Sequence, residues 1–152
     1  PALRALMEEQ IALYCEQLGW PIGHLFLRSE LTYEMTPTGI WYLRDPVAFA
    51  PFREATEALR IRPHEEITGH VLFGPRPTWV ADVRELPQFR RSAVARELGI
   101  RSGLFLPFYD GELIGAFEFY TTERTRPDAE IVAGIIRSGR EIGHRLGASQ
   151  GT

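Results

Sequence analysis

The sequence contains neither lysine nor asparagine, so all 17 basic residues among its 152 are arginines. That removes a Schiff-base or P-loop lysine, a lysine nucleophile and an Asn-linked glycan. Cysteine is nearly absent too. With Cys15 alone, no intramolecular disulfide, C-x-x-C redox pair or cysteine-rich zinc site can form, which fits a reducing cytoplasm. No apolar run approaches the roughly 20 residues of a membrane-spanning helix. Direct membrane insertion is therefore not expected, and the net charge of −3 supplies no basic field, so nucleic acid is not expected either. The chain opens at Pro1 without the charged start and apolar run of a signal peptide. It reads as one domain, residues 1–152, excised from a larger protein.

What is present is a normal core-forming composition, 44% hydrophobic and 24% charged. Leu3, Met7, Ile11, Tyr14 and Leu18 recur at helical spacing, and Gly19 with Pro21 ends that first helix. His24 to Arg28 and Gly39 to Arg44 read as a strand pair turned by Thr36-Pro-Thr-Gly39. Phe52, Ala55 and Leu59 mark a second helix over residues 49–59. A loop-rich middle carries a short apolar stretch, Ile67 to Phe73, and a brief strand over 78–82. Ser92 to Leu98 reads as a helix capped by Gly99. Asp110-Gly111 joins Gly103–Tyr109 and Glu112–Tyr120 into a hairpin. Pro127-Asp128 opens a last helix striped by Ile131, Ile135, Ile142 and Leu146. This order fits an α+β domain built on an antiparallel sheet.

The feature order from Glu66 to Glu118 resembles the GAF domain, a small-molecule sensor module of signalling proteins. The matching segments are Ile67-Thr-Gly69-His-Val71, Gly74-Pro-Arg-Pro-Thr-Trp79-Val-Ala-Asp82, Pro87-Gln-Phe89, Glu97-Leu-Gly99-Ile-Arg101, Leu106-Pro107 and Gly111-Glu-Leu-Ile-Gly115-Ala-Phe-Glu118. Pro37-Thr-Gly-Ile-Trp41 with Phe49-Ala-Pro-Phe52 resembles a subgroup attached to histidine kinases and other two-component sensors. With the flanking helices, the likeness covers essentially the whole chain. It implies a PAS-related sheet of about five or six antiparallel strands, terminal helices on one face, and mid-chain helices and loops over a pocket on the other.

The ligand-lining candidates that follow are the aromatic residues Trp41, Phe73, Trp79 and Phe89, each weighed against a plain role in core packing. Glu118 lies in the most apolar strand and, by alternation, shares a face with Ile114, Ala116 and Tyr120. A buried carboxylate there needs a partner, and Arg101 at the mouth of the adjacent strand is the first candidate, either bracing the sheet or anchoring a polar ligand. Arg44, Arg90 and Arg91 read as solvated loop arginines or as recognition groups for a carboxylate or phosphate.

The resemblance also bears on cofactors. Bilin-binding relatives carry their cysteine near the pocket, and free-methionine-sulfoxide reductases on this fold use several; Cys15 in the first helix suits neither and reads as a small buried hydrophobe. His64 and His70 are retained for haem beside the plainer reading of loop histidines, while their spacing of six does not make an H-E-x-x-H zinc site, and no metal is expected. His144 is expected to be exposed. The Asn-Lys-x-Asp motif of some cyclic-nucleotide-binding relatives cannot occur here.

The four-seven-four spacing of the last helix approaches a heptad seam, and Gly139 and Gly143 within it read as points of close helix approach or flexibility. The expected function is a ligand-sensing regulatory domain that forms a homodimer through its terminal helices and couples to an output domain, with no catalysis of its own. The alternative is a ligand-free dimerising spacer.

Overall fold

The computed structural model describes residues 2–63, 65, 72, 74, 76–86 and 88–150, with 149 and 150 described by backbone alone. Among the described residues five strands form one sheet, β1 (Ile22–Arg28), β2 (Met35–Leu43), β3 (Thr78–Val80), β4 (Gly103–Asp110) and β5 (Glu112–Tyr120), in the order β2-β1-β5-β4-β3. Every pairing is antiparallel. Helices α1 (Ala2–Leu18) and α4 (Ala129–Gln150) cover one face, while α2 (Ala50–Glu57) and α3 (Ser92–Leu98) cover the other.

Local chemistry sets the ends of these elements. Gly19, at φ 73°, closes α1, and its N–H and that of Trp20 both donate to the Cys15 carbonyl, at 2.9 and 3.0 Å. Gly99 ends α3 in the same left-handed conformation. The Asp128 carboxylate opens α4 by accepting from the N–H groups of Glu130 and Ile131, at 2.8 and 3.1 Å. Gly111, at φ 74°, turns the β4–β5 hairpin.

Strand alternation divides the core. Toward α1 and α4 point Leu25, Leu104, Leu106, Phe117 and Phe119, meeting Met7, Ile11, Tyr14, Ile135 and Ile142. Toward α2 and α3 point Ile22, Phe26, Phe105, Ala116 and Tyr120, meeting Phe52, Phe89 and Ala95. The apolar stripe of α4 is therefore consumed within its own domain. Contact with α1 is close, because Gly23 of β1 leaves no room for a side chain: a Cβ there would stand 2.5 Å from Cys15 Sγ.

Two local readings are corrected. Thr36-Pro-Thr-Gly39 is not the turn; it lies inside β2, and the chain reverses at Ser29–Glu34, where the Ser29 N–H donates to Glu34 O at 2.7 Å. The proline and glycine instead mark an irregularity in an edge strand, where the register to β1 shifts. Thr38 donates its hydroxyl to Leu25 O, and the Arg4 guanidinium covers the Thr38 and Gly39 carbonyls at 3.1 and 3.0 Å. Secondly, Ile114 does not share a face with Glu118. The β4–β5 register shifts between Phe108 and Tyr109, so Ile114 is an extra residue of a bulge and its side chain joins the core under α1 and α4.

Candidate functional site

The row across the middle of the sheet is Trp41 on β2, His24 on β1, Glu118 on β5 and Phe105 on β4, each in register with the next. Alternation aims all four at the α2/α3 face. At the centre stands Glu118, fully buried. His24 Nδ1 donates to its Oε2 at 2.8 Å, Arg91 Nη1 donates to its Oε1 at 2.8 Å, and the Tyr120 hydroxyl donates to the same Oε1. The Thr56 hydroxyl of α2 accepts from Arg91 Nη1 at 3.0 Å and donates to Phe52 O at 2.8 Å.

Arg91 enters this interior from the residue preceding α3, and it is 2% exposed. Its guanidinium carbon lies 5.1, 4.9 and 5.5 Å from the ring centres of Phe52, Phe89 and Tyr120. Cations over ring faces are favourable, and the effect grows where water is excluded. The ring box and the carboxylate together account for a buried arginine.

Burial alone would raise the Glu118 carboxyl, but the Arg91 charge, the His24 hydrogen bond and charge and the Tyr120 hydroxyl hold it at about 2. It is therefore an ionised, acceptor-only group at neutral pH. Burial lowers the His24 imidazole, outweighing the upward pull of Glu118. The Tyr120 phenol is raised, first by burial, and stays protonated as a donor. The ionised carboxylate thus fixes the tautomer: His24 carries its proton on Nδ1, and Nε2 bears a lone pair. His24 Nε2 is buried with no hydrogen-bond partner among the described residues. Around the imidazole, Trp41 stacks at 4.2 Å and Phe26 packs edge-on at 4.6 Å between ring centres.

The structure brings together some of the expected residues and separates others. Trp41, Phe89 and Glu118 share the α2/α3 face, and the Trp41 indole N–H donates to Glu57 at 3.1 Å. Trp79 does not. It pairs with Leu104, packs toward α4, and donates its indole N–H to Thr125 O at 3.0 Å under the Arg126 guanidinium. Arg101 is not the partner of Glu118: it precedes β4, while Glu118 sits opposite Phe105, and the Arg101 side chain is exposed. Arg91 takes that role, which corrects the solvated-loop reading, one of the two it was given. Arg90 stays on the surface and pairs with Glu65. Phe73, His64 and His70 lie outside the described residues. His144 is exposed, with Nδ1 3.3 Å from Asp110 Oδ1.

Clefts also open on the other side of the sheet. One of about 290 Å³ lies between β4 and α4, lined by Leu106, Phe108, Phe117, Ile135 and Gly139 with Arg140 at its edge. One of about 350 Å³ lies between α1 and β1, lined by Leu3, Met7, Leu25 and Ile40. Glu118 lines neither. Among the described residues no cluster of three potential metal ligands occurs, and no helix is long and apolar enough to cross a membrane.

The family model described as "GAF domain" matches residues 3–143. Among solved structures, a domain assigned to a two-component sensor histidine kinase protein of Sinorhizobium meliloti 1021 is similar at 18% identity and a TM-score of 0.71, covering 99% of this chain and 95% of that one. The GAF domain of a phosphoenolpyruvate-protein phosphotransferase from Coxiella burnetii gives 18% identity and a TM-score of 0.74, over 98% and 84%. A free methionine-R-sulfoxide reductase from Neisseria meningitidis, in complex with its substrate, gives 18% and 0.70, over 97% and 80%. At such identities the likeness is one of fold. No curated protein sequence matches the chain.

Proposed function

The chain belongs to the GAF domain family, and on that footing we propose that it is the ligand-sensing regulatory domain of a cytoplasmic bacterial signalling protein, a sensor histidine kinase. Its ligand is a small molecule held on the α2/α3 face beside Trp41, His24 and Glu118. The observation that carries this reading is His24 Nε2, buried and without a hydrogen-bond partner among the described residues, beside the Glu118 carboxylate that His24 Nδ1, Arg91 Nη1 and the Tyr120 hydroxyl hold. An unmet buried acceptor costs about 1–3 kcal/mol, and a bound molecule that donates to it recovers that free energy.

The kinase context is supported by the similar domain from Sinorhizobium meliloti. Coupling to an output domain runs through the sheet, because the strands that carry His24 and Glu118 press their other faces on α1 and α4. Homodimerisation through the terminal helices belongs to the same proposal, with a changed surface. Ile135, Ile142 and Leu146 are buried internally, so a partner would meet the outward side of α1, where Leu13 is 44% exposed, rather than the α4 stripe. Regulation rather than thiol catalysis is favoured, since Cys15 is fully buried on the α1 side and burial raises its thiol.

Native mass spectrometry of the purified protein, paired with thermal denaturation against a small-molecule library, tests this. A ligand at 100 times its Kd would add about 2.7 kcal/mol, a rise of roughly 5–11 °C for a domain of this size. An apo dimer that no compound stabilises would favour the alternative, a ligand-free spacer.

A further inference from the structure

On the other face of the sheet, α4 does not lie evenly along β4. At Gly143 the helix rests directly on the strand, where a Cβ would stand 2.8 Å from the Tyr109 carbonyl oxygen. About one turn earlier, at Gly139, the approach is looser, and the nearest atoms to a Cβ belong to Phe117 and Phe108 at 3.6 and 3.9 Å. The space left there is the cavity of about 290 Å³ between β4 and α4. Leu106, Phe108 and Phe117 wall it from the sheet, and Ile135, Ile136 and the bare backbone of Gly139 wall it from the helix. Tyr109 also lines it, but its hydroxyl already donates to Gly74 O at 2.8 Å. Arg140 alone on this lining is charged; it is exposed and has no hydrogen bond or ion pair among the described residues. Phe117 and Glu118 are neighbours on β5 that point to opposite faces, so the sheet separates this cavity from the Glu118 cluster.

We infer that this cavity is a second binding site, for a small aromatic monocarboxylic acid whose ring lies between α4 and β4 against Phe108, Phe117 and Ile135 and whose carboxylate pairs with Arg140 at the rim. Protein interiors hold few voids, and an apolar one that persists accepts an apolar guest: a cavity of about 150 Å³ takes benzene. Nearly twice that volume suits a body of about a dozen non-hydrogen atoms. A ring packs well on ring walls and gives up less rotational freedom on binding than a flexible chain of the same size. The rim sets the sign of the polar end. The Arg140 guanidinium offers a fork of donors that matches a carboxylate, whereas an ammonium would stand beside a like charge. One guanidinium balances one negative charge, which favours a monocarboxylate over a phosphate dianion. A guest beneath Gly139 fills the gap between helix and strand, so its occupancy bears on the seat of α4 without passing through the α2/α3 face.

The test uses matched probes, 3-phenylpropionate, 3-phenylpropanamide and 3-phenylpropylamine, on the wild-type protein and on Arg140→Gln, a change at an exposed side chain. Binding is followed through ¹³C-labelled isoleucine δ1 methyl groups, because Ile135 and Ile136 line the cavity whereas Ile22 and Ile61 lie in the core under α2 and α3. The acid should shift Ile135 and Ile136, leave Ile22 and Ile61 in place, and bind about threefold or more tightly than the amide, with the amine weakest. In Arg140→Gln the acid should lose that advantage while the amide binds as before. An acid that binds no more tightly than the amide, or an advantage that survives Arg140→Gln, overturns the inference of a carboxylate held by Arg140. Shifts confined to Ile22 and Ile61 overturn it as well, while supporting a ligand on the α2/α3 face. If no probe moves Ile135 or Ile136, the cavity is not a site for this class of molecule and the inference falls, with the reading of the α2/α3 face untouched.

Discussion

Replacing Glu118 with glutamine keeps the shape of the side chain and removes its charge. In the native protein that charge faces Arg91, His24 and Tyr120 from within the core, with Glu118 0% and Arg91 2% exposed. Removing one member of such a buried pair costs about 3–5 kcal/mol. An amide oxygen can still accept from one donor, which places Glu118→Gln near the lower figure, about 3 kcal/mol. For a chain of this length that is a fall in Tm of roughly 6–12 °C. The companion variants are Arg91→Met and the Glu118→Gln/Arg91→Met pair, all followed by urea and thermal unfolding. If the two residues stabilise each other, the double variant will be at least about 1 kcal/mol more stable than the sum of the singles implies. A loss below about 1 kcal/mol for Glu118→Gln, together with strict additivity, would refute the claim that this ion pair organises the α2/α3 face.

Acid should act through the same cluster. Both His24 and Glu118 are lowered on folding, so each contributes stability that is present above its unfolded value and lost as pH falls toward its folded value. Urea stability should therefore decline below about pH 6.5 through His24 and again between 4.5 and about 2 through Glu118, and His24→Gln should flatten the upper part. The glycines of α4 should separate in sign. A Cβ at Gly143 would lie 2.8 Å from the Tyr109 carbonyl, so Gly143→Ala should destabilise by about 1–3 kcal/mol despite its better helix propensity. At Gly139 the nearest atom is 3.6 Å away, so Gly139→Ala should stabilise by up to about 1 kcal/mol, both read by chemical denaturation. Gly23→Ala should destabilise by about 1–3 kcal/mol through collision with Cys15, and adding Cys15→Ala should restore part of the loss in Tm.

Elements with a strong local signature were legible in the sequence. The hairpin at Gly111, the cap at Gly99 and the helix opened by Asp128 all stand where their turn and cap residues place them. Breakers inside a strand were not. Pro37 and Gly39 look the same in a turn as in an irregular edge strand, and only pairing with β1 distinguishes the two. The bulge at Ile114 likewise shifts alternation by one residue without leaving a sequence mark. Glu118 stood out because a carboxylate interrupts an apolar strand. His24 carried a matching signal, a polar ring between Ile22 and Phe26 on one face of β1, but its pairing with Glu118 depends on β1 lying beside β5 across 94 residues. Arg91 was indistinguishable from Arg90 in sequence. One turn of backbone at the start of α3 sends the first inward and leaves the second paired with Glu65 outside.

The enclosure of Cys15 has a practical use. Its sulfur is shut between α1 and the backbone of β1, it is the only thiol in the chain, and burial keeps it from the reactive thiolate form. A thiol reagent therefore has no target until α1 lifts from the sheet, and the rate of its consumption becomes an internal clock for that opening. The same silence makes the domain convenient for spectroscopy. A cysteine introduced at an exposed position can carry a spin label or dye with the native residue left in place, so distances between the outer helices can be followed with and without ligand.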